Sequence, residues 1–149
     1  VVKRLFDLIQ PGYSVFGKKD AQQLFLIKNM ITEFELNIQI IEGDIIRDIN
    51  GLALSSRNNH LSTHAKLKAS CIFDSLLKTA KLISSNKNYE DAIREVSQNF
   101  KKNEIILDYF ELVDAENFKL PNKYSKKLKL LIAAYLENIR LIDNIDIKI

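Results

Sequence analysis

"YSVFGKKDAQQ", Tyr13 to Gln23, is the stretch on which the fold reading turns. Tyr13–Phe16 is a short apolar run with a valine and two aromatics, which reads as a buried strand. Gly17–Asp20 is a turn. From Ala21 onward Leu24, Ile27, Ile31 and Phe34 recur at helical spacing and share one face. Upstream, Val1, Val2, Leu5, Phe6, Leu8 and Ile9 follow the same period until Pro11-Gly12 stops them. Downstream, Asn37–Ile41 reads as a second strand. Helix–strand–helix–strand is the order of a parallel sheet with crossover helices. Two strands are too few to stand alone. Residues 1–50 therefore read as the last elements of a doubly wound, Rossmann-like α/β domain. The chain opens on Val1 inside an amphipathic pattern, so the expectation is a piece cut from a longer protein.

The polar turn has two compatible readings. Asp20 with Gln23 three residues on is a capping-box pattern, and Lys18 and Lys19 are then solvated surface. The same geometry, a strand C-terminus meeting a helix N-terminus, is where open α/β sheets bind ligands. Gly17 would let a ligand approach the backbone, a lysine would neutralise phosphate oxygens, and the Gln23 amide would face the same crevice.

"RDINGLALSSRNNHLS", Arg47–Ser62, is rich in Asn and Ser and reads as an exposed loop and a lobe boundary. Ser62 is placed to cap the next helix, with Leu67, Cys71, Leu76, Leu77 and Ala80 inward. "SSNKN" is a linker, and Asn88 is placed to cap a further helix with Ala92, Ile93, Val96 and Phe100 inward. Ile105–Val113 is β-rich, and Asp114–Asn117 is a turn. Leu128–Leu136 is nearly continuous in apolar residues, which leaves helix and buried strand both open; pairing with Ile105–Val113 would favour strand. Residues 51–149 thus read as a small α+β domain.

The totals narrow the function. Lys+Arg 22 against Asp+Glu 19 gives a net charge of +3. That excess is small, the basic residues are dispersed, and aromatics do not interleave with them, which argues against nucleic acid as a partner. Cys71 is the single cysteine, so there is no intrachain disulfide and no cysteine metal cluster. His60 and His64, the only histidines, stand at i, i+4 without a glutamate-rich companion motif, and no metal ligand is assigned. No apolar run reaches the roughly 18 residues of a membrane span, so a cytoplasmic protein without a membrane partner is expected.

"LALSSRN", Leu52–Asn58, holds two hydroxyls and a guanidinium in a loop, a combination suited to wrapping a polyphosphate and equally to a polar linker. Taken together, "FGKKDAQQ", "DINGLALSSRNNHLS" and the closing "RLIDNI" resemble the pantothenate synthetase (pantoate–β-alanine ligase) family, along the whole chain. "VVKRLFDLIQP" resembles that family's stretch ahead of the first motif. The resemblance is strongest over Val1–Ser62 and Arg140–Ile145 and weakest between Leu76 and Glu104.

The resemblance implies an ATP-dependent ligase of the nucleotidyltransferase superfamily, working in coenzyme A biosynthesis. Pantoate is joined to the α-phosphate of ATP with release of pyrophosphate, and the amine of β-alanine then displaces AMP from the pantoyl adenylate. It implies that Gly17, Lys19 and Asp20 match the family's "FGxKD", with Lys19 on phosphate and Asp20 on the ribose. Gln23 would bind pantoate. Ser55, Ser56 and Arg57 would form the phosphate-binding loop, and Ile46 and Leu54 would give backbone contacts to adenine. Lys18 stands where Glu or Gln is common and carries no role, and "LENIRLIDNI" lacks the Gly and Thr usual before its arginine. The family's histidine–x–glycine–histidine motif, first pantoate-binding glutamine and magnesium-binding aspartate have no counterpart here. The expectation is therefore a C-terminal part of the enzyme, inactive alone, with the Mg2+ ligand in an absent N-terminal half and a homodimer for the full-length protein. The rival expectations are a non-catalytic nucleotide- or RNA-binding module and a structural fragment without ligand affinity.

Overall fold

The computed structural model describes residues 1–85 and 89–148, and the chain forms two compact units, Val1–Ile45 and Ile46–Ile149. The proposed cap Asn88 lies outside the described residues. Residues 46–50, grouped with the first unit in the sequence reading, belong with the second. The Leu54 amide donates to the Ile46 carbonyl (2.8 Å) and Arg47 pairs with Asp143, so this segment is tied to the chain downstream of it.

In the first unit, helix α1 (Val2–Ile9) ends at Gln10, which takes the left-handed conformation (φ 48°) and donates its N–H to the Phe6 carbonyl at 2.8 Å. Pro11 then bars any continuation. Phe6 is the buried residue of α1 and meets Phe16 edge-on, centroids 6.3 Å apart. Strand β1 (Tyr13–Gly17) pairs in parallel with β2 (Gln39–Gly43), from Tyr13 opposite Gln39 to Gly17 opposite Gly43. Helix α2 (Ala21–Glu33) is the crossover between them, burying Ala21, Leu24 and Ile27. Parallel pairing through a helix is as the element order implied. The burial is not: Tyr13 and Val15 are 66% and 68% exposed. The strand alternates, with Ser14 and Phe16 turned inward, because within this unit only one face of the two-stranded ladder has cover. Phe34 also leaves the predicted stripe, since α2 stops at Glu33 and the ring lies half-exposed under the Lys3 ammonium.

The second unit is an antiparallel sheet of three strands in the order β3-β4-β5, with two helices packed against it. Strands β3 (Ile106–Asp114), β4 (Lys127–Leu136) and β5 (Ile139–Lys148) place β4 in the middle. That settles the Leu128–Leu136 ambiguity as strand: Leu130–Ala134 are buried without interruption, so both faces of β4 are covered. Strand β5 went unread as a strand in the sequence. Helix α3 (Thr63–Ser84) begins where Ser62 accepts from the Ala65 N–H at 3.1 Å, as its capping role required. Its inward stripe is Ala65, Ala69, Ile72, Leu76 and Thr79, at alternating steps of four and three. Leu67, expected inside, is 56% exposed, while Cys71, Leu77 and Ala80 are half-buried on the stripe's margin. Ile72 and Leu76 supply the bulk of this face, and the small Ala65 and Ala69 complete it toward the helix N-terminus. Helix α4 (Tyr89–Lys102) buries Ala92, Val96 and Phe100 with Ile93 at their edge, as read. The Tyr89 hydroxyl donates to the Phe110 carbonyl of β3 at 2.8 Å, fastening α4 to the sheet.

Candidate functional site

Gly17, Lys19, Asp20 and Gln23 come together at one place in the first unit, the turn between β1 and α2. Asp20 is the N-cap of α2, its carboxylate accepting from the Gln23 N–H at 3.1 Å. The Asp20 cap is therefore as read, whereas Lys18 and Lys19, expected as solvated surface in that reading, are half-buried. The helix N-terminus is left with its partial positive charge at the carboxyl end of a parallel strand. Gly17 has neither a positive φ nor a neighbour within 4 Å of where a Cβ would stand. Neither backbone nor packing thus requires a glycine there, and its main chain is open to approach. Lys19 is half-buried and Gln23 exposed. Lys18 faces elsewhere. Its N–H donates to the Gly43 carbonyl (2.8 Å) and its ammonium lies 2.6 Å from Asp44, so it ties the ends of β1 and β2 together. That hydrogen bond, with the accompanying charge, holds the Asp44 carboxyl below its ordinary value.

Ile46, Leu54, Ser55, Ser56 and Arg57 come together in the second unit, but not as the plain exposed loop expected. Ile46–Leu54 doubles back on itself. Arg47 and Ala53 form an antiparallel bridge, flanked by the bonds Leu54 N–H to Ile46 carbonyl (2.8 Å) and Asp48 N–H to Leu52 carbonyl (3.0 Å). The Asp48 carboxylate accepts from the N–H groups of Asn50 (2.9 Å) and Leu52 (3.0 Å), an aspartate-led turn closed by Gly51. Leu52, Ala53, Asn58 and Leu61 are buried. The segment is a folded flap that turns Leu52, Ala53 and Leu61 inward and leaves Ile46, Ile49 and Leu54 exposed, an order that its polar composition concealed. The Leu54 amide and Ile46 carbonyl bond to each other, so those two groups are engaged within the flap.

Ser55 caps a 3-10 turn, Ser56–His60, accepting from the Arg57 N–H at 3.3 Å. The Arg57 guanidinium is exposed and reaches the Arg140 carbonyl of β5 at 3.4 Å. Asn58, not singled out in the sequence, donates from its amide to the Ala53 carbonyl (3.0 Å) and so holds the flap's two arms together. Its buried Oδ1 has no partner. An open cleft of about 560 Å³ is lined by Leu54, Ser55, Ser56, Asn58, Asn59 and Lys66, among others. Two hydroxyls, side-chain amides and the Lys66 ammonium share this concave surface with the Asp48 carboxylate, so the lining is polar and carries both charges. The residues the sequence reading missed here, Asn58 and Lys66, carried a weak signal at best: an asparagine directly after "SSR", and a lysine in the first turns of a helix.

His60 and His64 do not share a helix. Leu61 is extended and Ser62 starts α3 anew, so their i, i+4 spacing brings no common face. Among the described residues no group of three or more His, Cys, Asp or Glu side chains could hold a metal, and no helix is long and apolar enough to cross a membrane.

A parallel strand–turn–helix in the first unit and a serine-bearing flap in an α+β second unit make this a mixed α/β protein. The description "Pantoate-beta-alanine ligase" is that of the family model that matches residues 1–146, and the chain belongs to that family. Pantothenate synthetases from Shewanella halifaxensis and Buchnera aphidicola are each 40% identical to it, over 144 and 146 residues; in both cases the match covers 97% of this chain and 51% of the relative. Among solved structures, pantothenate synthetase from Thermus thermophilus superposes with a TM-score of 0.87 at 30% identity, covering 97% of this chain and 52% of that one. Pantoate–β-alanine ligase from Francisella tularensis, complexed with beta-gamma ATP and β-alanine, gives 0.70 at 28% identity, with 97% and 47% covered. The chain spans about half the length of the curated relatives it matches. These matches establish the family and the span. They do not bear out the narrower expectation of a C-terminal part whose N-terminal half is missing.

Proposed function

We propose that this chain supplies part of the site of an ATP-dependent ligase that condenses pantoate with β-alanine, the remaining groups coming from the length of the relatives it does not span. A carboxylate oxygen of pantoate attacks the α-phosphorus of ATP, and pyrophosphate leaves. The amine of β-alanine then attacks the acyl carbon of the pantoyl adenylate, AMP leaves, and the amine gives up its proton as the amide forms. Lys19, at the N-terminal turn of α2, would neutralise phosphate oxygens as charge develops on them. Gly17 would leave the backbone open to the nucleotide, Asp20 would hold the ribose while capping its helix, and Gln23 would orient pantoate. Ser55, Ser56 and Arg57 would close over the phosphates as a flap, with Ile46 and Leu54 beside the adenine. Of those two, only the groups not already bonded to each other are available for it. Excluding water protects the adenylate from hydrolysis.

The observation that carries this reading is Lys19 standing on an open glycine turn where a parallel strand meets a capped helix, in a member of this family. The Francisella relative in complex with beta-gamma ATP and β-alanine supports the choice of substrates. ATP would act with Mg2+. The described carboxylates and histidines do not cluster to receive that ion, so no step is assigned to it. A cytoplasmic homodimer without nucleic-acid or membrane partners belongs to the same proposal.

The test is ATP titration of the chain with and without a separately expressed complementary half of a relative, reading pyrophosphate release with pantoate present. Release is expected only from the pair, and Lys19→Ala is expected to slow it by roughly 100-fold, the scale of losing one preorganised electrostatic contact. Near-normal release by that variant would remove Lys19 from the phosphate site.

A further inference from the structure

We propose that Arg47 is a positioning residue for the serine flap, a role that rests on the nucleotide reading above. Its guanidinium makes a two-pronged pair with Asp143 of β5, Nη1 to Oδ2 at 2.5 Å and Nη2 to Oδ1 at 2.9 Å. Nη1 also donates to the Gly51 carbonyl at 3.0 Å, and the guanidinium carbon lies 3.6 Å above the Phe73 ring centroid. Asp143 is 4% exposed at its side chain and Arg47 17%, so the pair is largely withdrawn from water. Asp143 Oδ1 further accepts from the Asn144 N–H at 2.8 Å, which leaves its orientation fixed.

A buried ion pair is a poor source of net stability, because desolvation consumes most of the attraction. What a planar fork on a carboxylate does supply is one defined orientation. Here that orientation is transmitted a short way. Arg47 is bridged to Ala53, and the chain leaving Ala53 is Leu54, Ser55, Ser56 and Arg57. The far end of the flap meets β5 again where Arg57 reaches the Arg140 carbonyl at 3.4 Å. Strand β5 thus receives the flap twice, by a buried fork at its base and by one long, exposed bond at its tip. The base stays put while the arginine at the tip is held loosely enough to transfer to a phosphate.

The test is hydrogen exchange of the chain at residues 52–58, alone and over an ATP titration, for wild type, Arg47→Lys and Asp143→Asn. Lysine keeps the charge but not the fork, and asparagine keeps the shape but not the charge. Both variants are expected to exchange about 10-fold faster at the flap amides and to need about 10-fold more ATP for half-protection, in line with the effect of small displacements at a site. Exchange in β4 should be unchanged. Where Arg47→Lys loosens β4 as well, Asp143→Asn decides. Flap exchange equal to wild type, or ATP protection equal in all three proteins, overturns the role. If ATP protects none of the three even after the complementary half of a relative is added, the nucleotide reading fails, and the ligand-free flap rates alone decide whether Arg47 positions the segment.

Discussion

Replacing Gly51 with alanine tests the packing at the base of the flap. Gly51 has φ +87°, and a Cβ built on it stands 2.9 Å from Phe73 Cδ1 and 3.7 Å from Cγ and Cε1. The left-handed backbone costs an alanine about 1–2 kcal/mol. Overpacking costs about 1–3 kcal/mol where neighbours cannot yield. Phe73 is half-buried and can give way on its outer side, but the Arg47 guanidinium rests on its ring, which limits the retreat. Against this, alanine restricts the unfolded chain and returns about 0.4–1 kcal/mol. The sum is a loss of about 1–4.5 kcal/mol, centred near 3. Urea unfolding followed by far-ultraviolet circular dichroism should show it. With a slope of about 2 kcal/mol/M, the midpoint of the second unit falls by about 1 M or more. Gly12→Ala is the control, since that glycine has no positive φ and open space around it; its change should stay within about 0.5 kcal/mol. A Gly51→Ala midpoint equal to wild type would refute both the strain argument and the packing of Phe73 between Gly51 and Arg47.

Asp20→Ala should lower stability by about 1 kcal/mol through loss of the cap on α2, whereas Asp20→Asn should keep it; thermal melts of both variants test this, and equal losses would remove the capping role. Leu76→Ala, at a position with no exposed surface, should cost about 2–5 kcal/mol, and Leu67→Ala almost nothing by comparison; comparable losses from the two in urea titrations would restore the face of α3 first expected, which held both leucines. Burial, seconded by the Asp74 charge, pushes the Cys71 thiol from 9.0 up to about 11. At pH 8 its reaction with a disulfide reagent should therefore be about 100-fold slower folded than in urea, each pH unit being tenfold in thiolate. Burial likewise raises the Tyr89 phenol to about 12. Both groups hold, when folded, protons that the unfolded chain releases above about pH 9 and 10, so stability should fall as pH rises through those windows. A urea midpoint flat from pH 8.5 to 11 would contradict this.

The order of elements in the first unit was legible because each follows a single period: α1 and α2 at helical spacing, β1 and β2 as short runs between turn residues. The caps Asp20 and Ser62 were legible because their partners lie three residues away. The face of α3 was legible only in part: Leu76 is inward as read, but the stripe runs on through Ala65, Ala69, Ile72, Ser75 and Thr79, while the conspicuous leucine at 67 faces water. Strand β5 was hidden by Asp143 and Asn144, polar residues that are nonetheless buried. The lysine turn and the serine run stand out as motifs, so most of the candidate site could be named from sequence. Its support could not. Arg47 and Asp143 are 96 residues apart, and no local pattern reports a partner at that distance.

Strand β4 has one further consequence. Since Leu130–Ala134 are covered on both faces, sliding the strand by one residue would exchange one apolar side chain for another, and hydrophobic alternation cannot detect the error. Alignment must be enforced at the ends. The two-residue reversal Glu137-Asn138, with φ of 49° and 62°, admits only a close hairpin pairing Leu136 with Ile139. The Glu137 carboxylate is then locked by the Ser62 hydroxyl and amide at 2.6 and 2.8 Å. A greasy, uninformative ribbon is indexed by its polar hinge.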